Sequence, residues 1–170
     1  MRRRKIESLL VEWVLLLAVP SIFGQQALAP QTASRGHTMH ATGTFEVKTL
    51  PIEVSAIGKE AGVGRMTIDK VWTGDIVGTS KGEMLTGITG ETGSMAYTAV
   101  EKVTGKLAGK AGNFYFVHRA TMMKSDPASA ALACDVVPGS GTGDLVGLTG
   151  SLKIDMSGGG HRYDFTYELP

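Results

Sequence analysis

The chain has 170 residues, 42% hydrophobic and 19% charged, which is enough to enclose one core and leaves no room for a second. Setting aside Arg2, Arg3, Arg4, Lys5, Glu7 and Glu12 leaves 13 basic and 14 acidic residues, a near-neutral balance without the electrostatic footprint of a nucleic-acid binder. The only cysteine is Cys134, which excludes an intramolecular disulfide and a cysteine-based zinc cage.

Residues 1–29 run from Arg2-Arg3-Arg4-Lys5 through an apolar stretch, Trp13 to Phe23, to the small residues Ala27-Leu28-Ala29. That is the order of a secretory signal peptide, and the apolar stretch is short for a membrane span. Glu12 interrupts the run and Pro30 follows Ala29 directly, so cleavage near Gly24 or Ala27 suits the pattern better. The expected organisation is a leader over 1–29, a linker over 30–38 and one domain over 39–170, exported to the periplasm or beyond. An uncleaved anchor, or translation from Met39 giving a cytoplasmic protein, are the alternatives. After leader cleavage no stable membrane span is expected.

From Met39 onward, short runs alternate with period two between glycines, and no helical stripe of ten or more residues appears. Phe45 and Val47 mark a first strand, Met66, Ile68 and Trp72 a second, and Met95, Tyr97, Ala99 and Val103 a fourth. Phe114, Phe116 and Met122 mark a fifth. Cys134 alternates with Leu132 and Val136, which suits a buried, inert thiol. Leu148, Leu152, Ile154 and Met156 belong to a seventh strand. In the last, His161, Tyr163, Phe165, Tyr167 and Leu169 share one face and Arg162, Asp164, Thr166 and Glu168 the other.

A Gly-x-(Leu/Ile)-x-Gly motif recurs as Gly74-Asp-Ile-Val-Gly78, Gly105-Lys-Leu-Ala-Gly109 and Gly143-Asp-Leu-Val-Gly147, each followed by a further glycine at 82, 112 or 150. Each sits where one run ends and the next begins, as hairpin turns and sharply bent strands require. The fold class is therefore all-β, a small closed antiparallel barrel of about eight strands, with an open sandwich as the alternative.

Two motifs imitate chemistry. Gly141-Thr-Gly143-Asp-Leu-Val-Gly147 looks like a dinucleotide fingerprint, but such a site needs a helix after the glycines, and Leu148-Thr-Gly-Ser cannot start one. Gly78-Thr-Ser80-Lys-Gly82 fits the letters of a nucleophile elbow without the helix that the elbow requires, so Ser80 reads as a turn or strand serine. His37, His40, His118 and His161 are not spaced as metal ligands, and no cofactor is expected.

The informative constellation is polar residues on apolar faces. Glu101 lies on the inward face of the fourth strand and His118 on that of the fifth. With Gly109-Lys110 as a two-residue loop, Leu107 faces Gly112 and Glu101 pairs directly with His118. Slippage by two residues leaves them diagonal and still within reach. Lys70, between Ile68 and Trp72, and His161 also fall on apolar faces. Lys70, Glu101, His118 and His161, with Tyr97, Tyr163 and Tyr167, are expected to share one interior, paired with one another because lone buried charges are costly.

Five blocks in order, His40-Ala-Thr-Gly-Thr-Phe-Glu-Val-Lys48, Gly74-Asp-Ile-Val-Gly-Thr-Ser80, Val100-Glu-Lys-Val-Thr-Gly105, Gly112-Asn-Phe-Tyr-Phe-Val-His118 and Val136-Val-Pro-Gly-Ser-Gly-Thr-Gly-Asp144, resemble the bacterial family catalogued as domain of unknown function 3224. The resemblance covers Met39 to Pro170. It implies a compact barrel similar to that of allene oxide cyclases, and it implies no activity. Arg119-Ala120 departs from the Gly or Thr-Gly that often follows the histidine in that family.

Three functions fit these observations. The first is binding of a small apolar or amphipathic ligand inside the barrel, through Lys70, Tyr97, His161, Tyr163 and Tyr167. The second is an isomerase, cyclase or hydratase-like enzyme in which His118 transfers protons and Glu101 orients it. The third is a ligand-free barrel that self-associates as a homo-oligomer.

Overall fold

The structure, a computed structural model, describes residues 37–90 and 93–170. The expected leader and most of the linker lie outside the described residues. Eight strands, β1 (Met39–Lys48), β2 (Val63–Gly74), β3 (Ile76–Ile88), β4 (Ser94–Leu107), β5 (Lys110–Met123), β6 (Asp126–Val136), β7 (Thr149–Asp155) and β8 (His161–Glu168), follow one another around a closed antiparallel barrel. The short helix α1 (Ala56–Glu60) precedes β2, with Ser55 Oγ accepting from Gly58 N–H at its start. Among the described residues no helix is long and apolar enough to cross a membrane.

The alternation seen in the sequence sorts inside from outside. On β4, Ala99, Glu101, Val103 and Leu107 are buried while Thr98, Val100, Lys102 and Thr104 are exposed. On β8, Tyr163, Phe165 and Tyr167 are buried.

The two ends of the barrel differ. At one end the tight turns gather, and Ile76, Leu107, Leu145 and Leu148, each at most 1% exposed, plug the lumen beneath Phe114, Phe116 and Phe165. Three of these four are the central residues of the Gly-x-(Leu/Ile)-x-Gly repeats, so the repeat is a device for closing the barrel. Asp75 and Asp144 occupy the same place in two of them, and each takes a backbone N–H from a neighbouring segment: Thr42 N–H at 2.7 Å and Ala111 N–H at 3.1 Å. The third repeat is not a hairpin turn. Gly143–Leu145 is a single 3-10 turn within the β6–β7 connection.

The β4–β5 turn also differs from expectation. Leu107 pairs with Lys110, so the loop is Ala108-Gly109, both at positive φ (49° and 84°), a type I′ geometry rather than a Gly109-Lys110 turn. Ala108 tolerates it because its N–H donates to Asp75 O at 2.8 Å. The register shifts by two as a result: Ala99 faces His118, and Glu101 faces Phe116.

One seam is thin. β6 pairs with β7 only at Asp135 and Ser151, where Ser151 Oγ–H also donates to Asp135 Oδ1 at 2.5 Å. Beyond that point the strands splay, which is why Leu132, on the same alternation as buried Cys134 and Val136, is 39% exposed. Met156, grouped with β7 by its spacing, lies past the strand end and is exposed. Because unpaired strand edges open first, the amides of Ala131 to Ala133 that point away from β5 should exchange with solvent orders of magnitude faster than those between β4 and β5. Hydrogen exchange read by NMR checks this, and uniform protection around the barrel would contradict it.

Candidate functional site

Among the described residues four polar or charged side chains other than tyrosines are buried: Lys70, Ser80, Glu101 and His118. They come from β2, β3, β4 and β5, and ordinary strand alternation turns each of them inward. Ser80 pairs across the sheet with Lys70 on one side and Val103 on the other, which puts it diagonal to Glu101.

Glu101 is the centre and is fully buried. Lys70 Nζ donates to its Oε2 at 2.7 Å, and the Ser80 hydroxyl donates to Oε1. Trp72 Nε1–H in turn donates to Ser80 Oγ at 2.8 Å. The Lys70 ammonium lies 4.6 Å from the Phe45 ring centroid and 5.1 Å from that of Trp72, so two aromatic faces replace part of its lost hydration. A buried charge needs this many partners, since desolvation of each ion costs several kcal/mol.

His118 Nε2 stands 3.3 Å from Glu101 Oε2, within ion-pair distance. The ring is not turned to make a hydrogen bond there, and Nε2 is a buried polar atom without a hydrogen-bond partner. On the other side of the ring, Nδ1 is 3.4 Å from the Tyr97 hydroxyl, and the two rings meet edge to face at 5.5 Å. Burial alone would raise the Glu101 carboxyl; the neighbouring His118, the Lys70 charge and hydrogen bond and the Ser80 hydroxyl outweigh it and hold the carboxyl below its ordinary range. Lys70 and Ser80 are the well-formed contacts, and that direction stands on them. Burial, then Cys134 and Glu101, raise the Tyr97 phenol. Cys134, the cross-strand partner of His118, is pushed up to about 12, chiefly by burial, and stays a thiol.

The structure therefore brings Lys70, Glu101, His118 and Tyr97 together. The Glu101–His118 contact is diagonal rather than directly opposite. His161 is half-buried and stacks on Phe45, its cross-strand partner, at 4.8 Å. Tyr163 and Tyr167 lie in the packed half: the Tyr163 hydroxyl accepts from Ile76 N–H at 2.8 Å, and Tyr167 stacks on Phe165 at 5.1 Å. Sequence reasoning left out Ser80, which the superficial elbow motif had drawn attention to for another reason, and the hydrogen-bonding edge of Trp72. The signal was available, since Ser80 shares the inward alternation of Ile76. Among the described residues no group of three or more His, Cys, Asp or Glu side chains could hold a metal ion.

Toward the end of the barrel away from the plug, packing loosens. Val47, Met66, Met84, Tyr97, Met122 and Ile154 are only half-buried. At the rim an open cleft of about 660 Å³ is lined by the ends of β3, β4 and β5, with Ile88, Met95, Met122 and Met123 among its walls.

The model of the family described as protein of unknown function (DUF3224) matches residues 41–167, nearly the whole barrel. The chain belongs to the DUF3224 family. A solved DUF3224 protein of unknown function from Shewanella oneidensis MR-1 is similar at 38% identity and a TM-score of 0.70, over 79% of this chain and 98% of that one. No curated protein matches the sequence. The Glu101-centred cluster of this DUF3224 barrel has to be read from its own geometry.

Proposed function

We propose that this barrel binds a small apolar or amphipathic molecule in its open half, above the Glu101 cluster. The observation that carries the reading is the division of the interior. One half is filled with Phe, Leu and Ile side chains, and a ligand has no place there. The other half is lined by half-buried methionines, and at its rim Met95 and Met122 contribute to an open cleft whose volume falls within the range typical of small-molecule sites. Methionine walls adapt to varied apolar shapes.

A second reading, proton transfer, rests on the Glu101–His118–Tyr97 line, in which a carboxylate held ionised faces an imidazole whose other nitrogen faces a phenol. Positioned imidazoles of this kind serve isomerisation or hydration, and contacts loose in a free protein tighten around substrate. We propose export on the leader pattern alone, and N-terminal sequencing of the mature protein tests it.

Binding is tested with phenylnaphthylamine, an uncharged probe that fluoresces in apolar surroundings. The barrel should bring up its emission saturably, and Met122→Trp, which fills the cleft, should weaken that binding by about tenfold or more at unchanged far-UV dichroism. Absence of saturable binding, or binding indifferent to Met122→Trp, would contradict the reading.

A further inference from the structure

We infer, resting on the binding site just proposed, that its ligand is uncharged and ends in a hydroxyl group, and that Tyr97 is the side chain that holds it. His118 itself is 6% exposed, its Nε2 is shut off from solvent and its Nδ1 faces the Tyr97 hydroxyl at 3.4 Å, so Tyr97 is the more accessible polar group of the pair. Tyr97 is half-buried and stands two residues inside Met95 on the same strand face, with Ala120 opposite and Met122 opposite Met95. On that face of β4 it is the first polar side chain below the apolar rim.

Charge decides against an ionic head group. The cluster beneath Tyr97 contains one cation, Lys70, and one carboxylate, Glu101, already in contact at 2.7 Å. Neither is free to neutralise a second ion, and an unpaired ion at this depth would forfeit its hydration without compensation.

Hydrogen-bond polarity then selects the neutral group. Glu101 Oε2 stands 3.3 Å from His118 Nε2; the ring is not turned for a hydrogen bond there, but a negative charge at that distance repels a lone pair and favours the neutral tautomer with its proton on Nε2, which leaves Nδ1 as an acceptor. In that tautomer the Tyr97 O–H, 3.4 Å away, donates to Nδ1, and the phenol oxygen keeps its lone pairs for a further donor. A ligand hydroxyl supplies the donor which that oxygen lacks, while a plain hydrocarbon leaves it unmet.

The test compares four probes of one chain length, n-octanol, octanoate, octylammonium and n-octane, by displacement of phenylnaphthylamine. n-Octanol should bind about tenfold or more tighter than either ion and tighter than n-octane. In Tyr97→Phe the preference for n-octanol over n-octane should disappear while n-octane binds as before. An ion that binds as well as n-octanol overturns the inference, and so does a preference that survives Tyr97→Phe. The ranking in the unsubstituted protein decides the charge question even if the variant folds poorly. Failure of all four probes, n-octane included, would remove the binding site itself, whereas binding of n-octane without head-group preference would remove only the inference about Tyr97.

Discussion

Glu101→Leu should lower the unfolding free energy by about 3–5 kcal/mol, the cost of stranding a buried partner. The substitution leaves the Lys70 ammonium, the Ser80 hydroxyl and the Trp72 chain of hydrogen bonds facing hydrocarbon. Replacing both members, Lys70→Met with Glu101→Leu, should recover most of that loss, because two apolar side chains remove the unpaired charge together with its partner. Urea unfolding of the two variants measures the difference. A single substitution costing under about 1 kcal/mol would show that the pair is not held as described.

The same carboxylate fixes a pH dependence. Its folded-state pKa lies below the ordinary value, so the folded protein favours the ionised form. The stabilisation is complete above the unfolded-state pKa of about 4.3 and is lost as pH falls through the lower folded-state value. The unsubstituted barrel should therefore lose stability on acidification through that window, and the double variant should lose less.

The second large effect concerns the plug. Gly78 and Gly105 face one another across β3 and β4. A Cβ on Gly78 would stand 2.2 Å from Thr104 O, and one on Gly105 would stand 2.2 Å from Val77 O. Both obstacles are backbone, so neither can swing aside. Gly78→Ala and Gly105→Ala should each destabilise beyond the about 1–3 kcal/mol of ordinary overpacking, since the strands themselves must part. Gly160→Ala, in open space in the β7–β8 loop, should stay within about 0.5 kcal/mol. Thermal unfolding of the three variants checks the contrast. Equal midpoints would mean that the close strand approach is not what these glycines provide.

Much of this was legible in the sequence because a strand has only two faces. Glu101, His118 and Lys70 were visible as polar residues in inward positions, and the eight-strand barrel followed from alternating runs and glycine corners. The register was harder. Ala108 adopting positive φ ran against its intrinsic preference, and the hydrogen bond from its N–H to Asp75 O, in the β2–β3 turn far away in sequence, is invisible locally. That two-residue shift turned an opposed pair into a diagonal one. Tyr163 and Tyr167 matched the inward pattern as well as Tyr97 did. Period-two alternation tells inside from outside but not one end of a barrel from the other, and the plug of Ile76, Leu107, Leu145 and Leu148 decided which tyrosines are packed. Ser80 was passed over because a serine among glycines reads equally as a turn or a strand residue, and only a strand running straight through it fixes its hydroxyl on the inward face.

The division of the lumen is tested most directly by methyl NMR of the protein labelled at methionine and leucine, titrated with n-octanol. Met95 and Met122 methyl signals should shift along a saturating curve, with the methyls of Leu107, Leu145 and Leu148 unmoved. Shifts confined to the leucine plug, or no saturating shift at any methyl, would contradict a barrel built with one filled half and one receptive half.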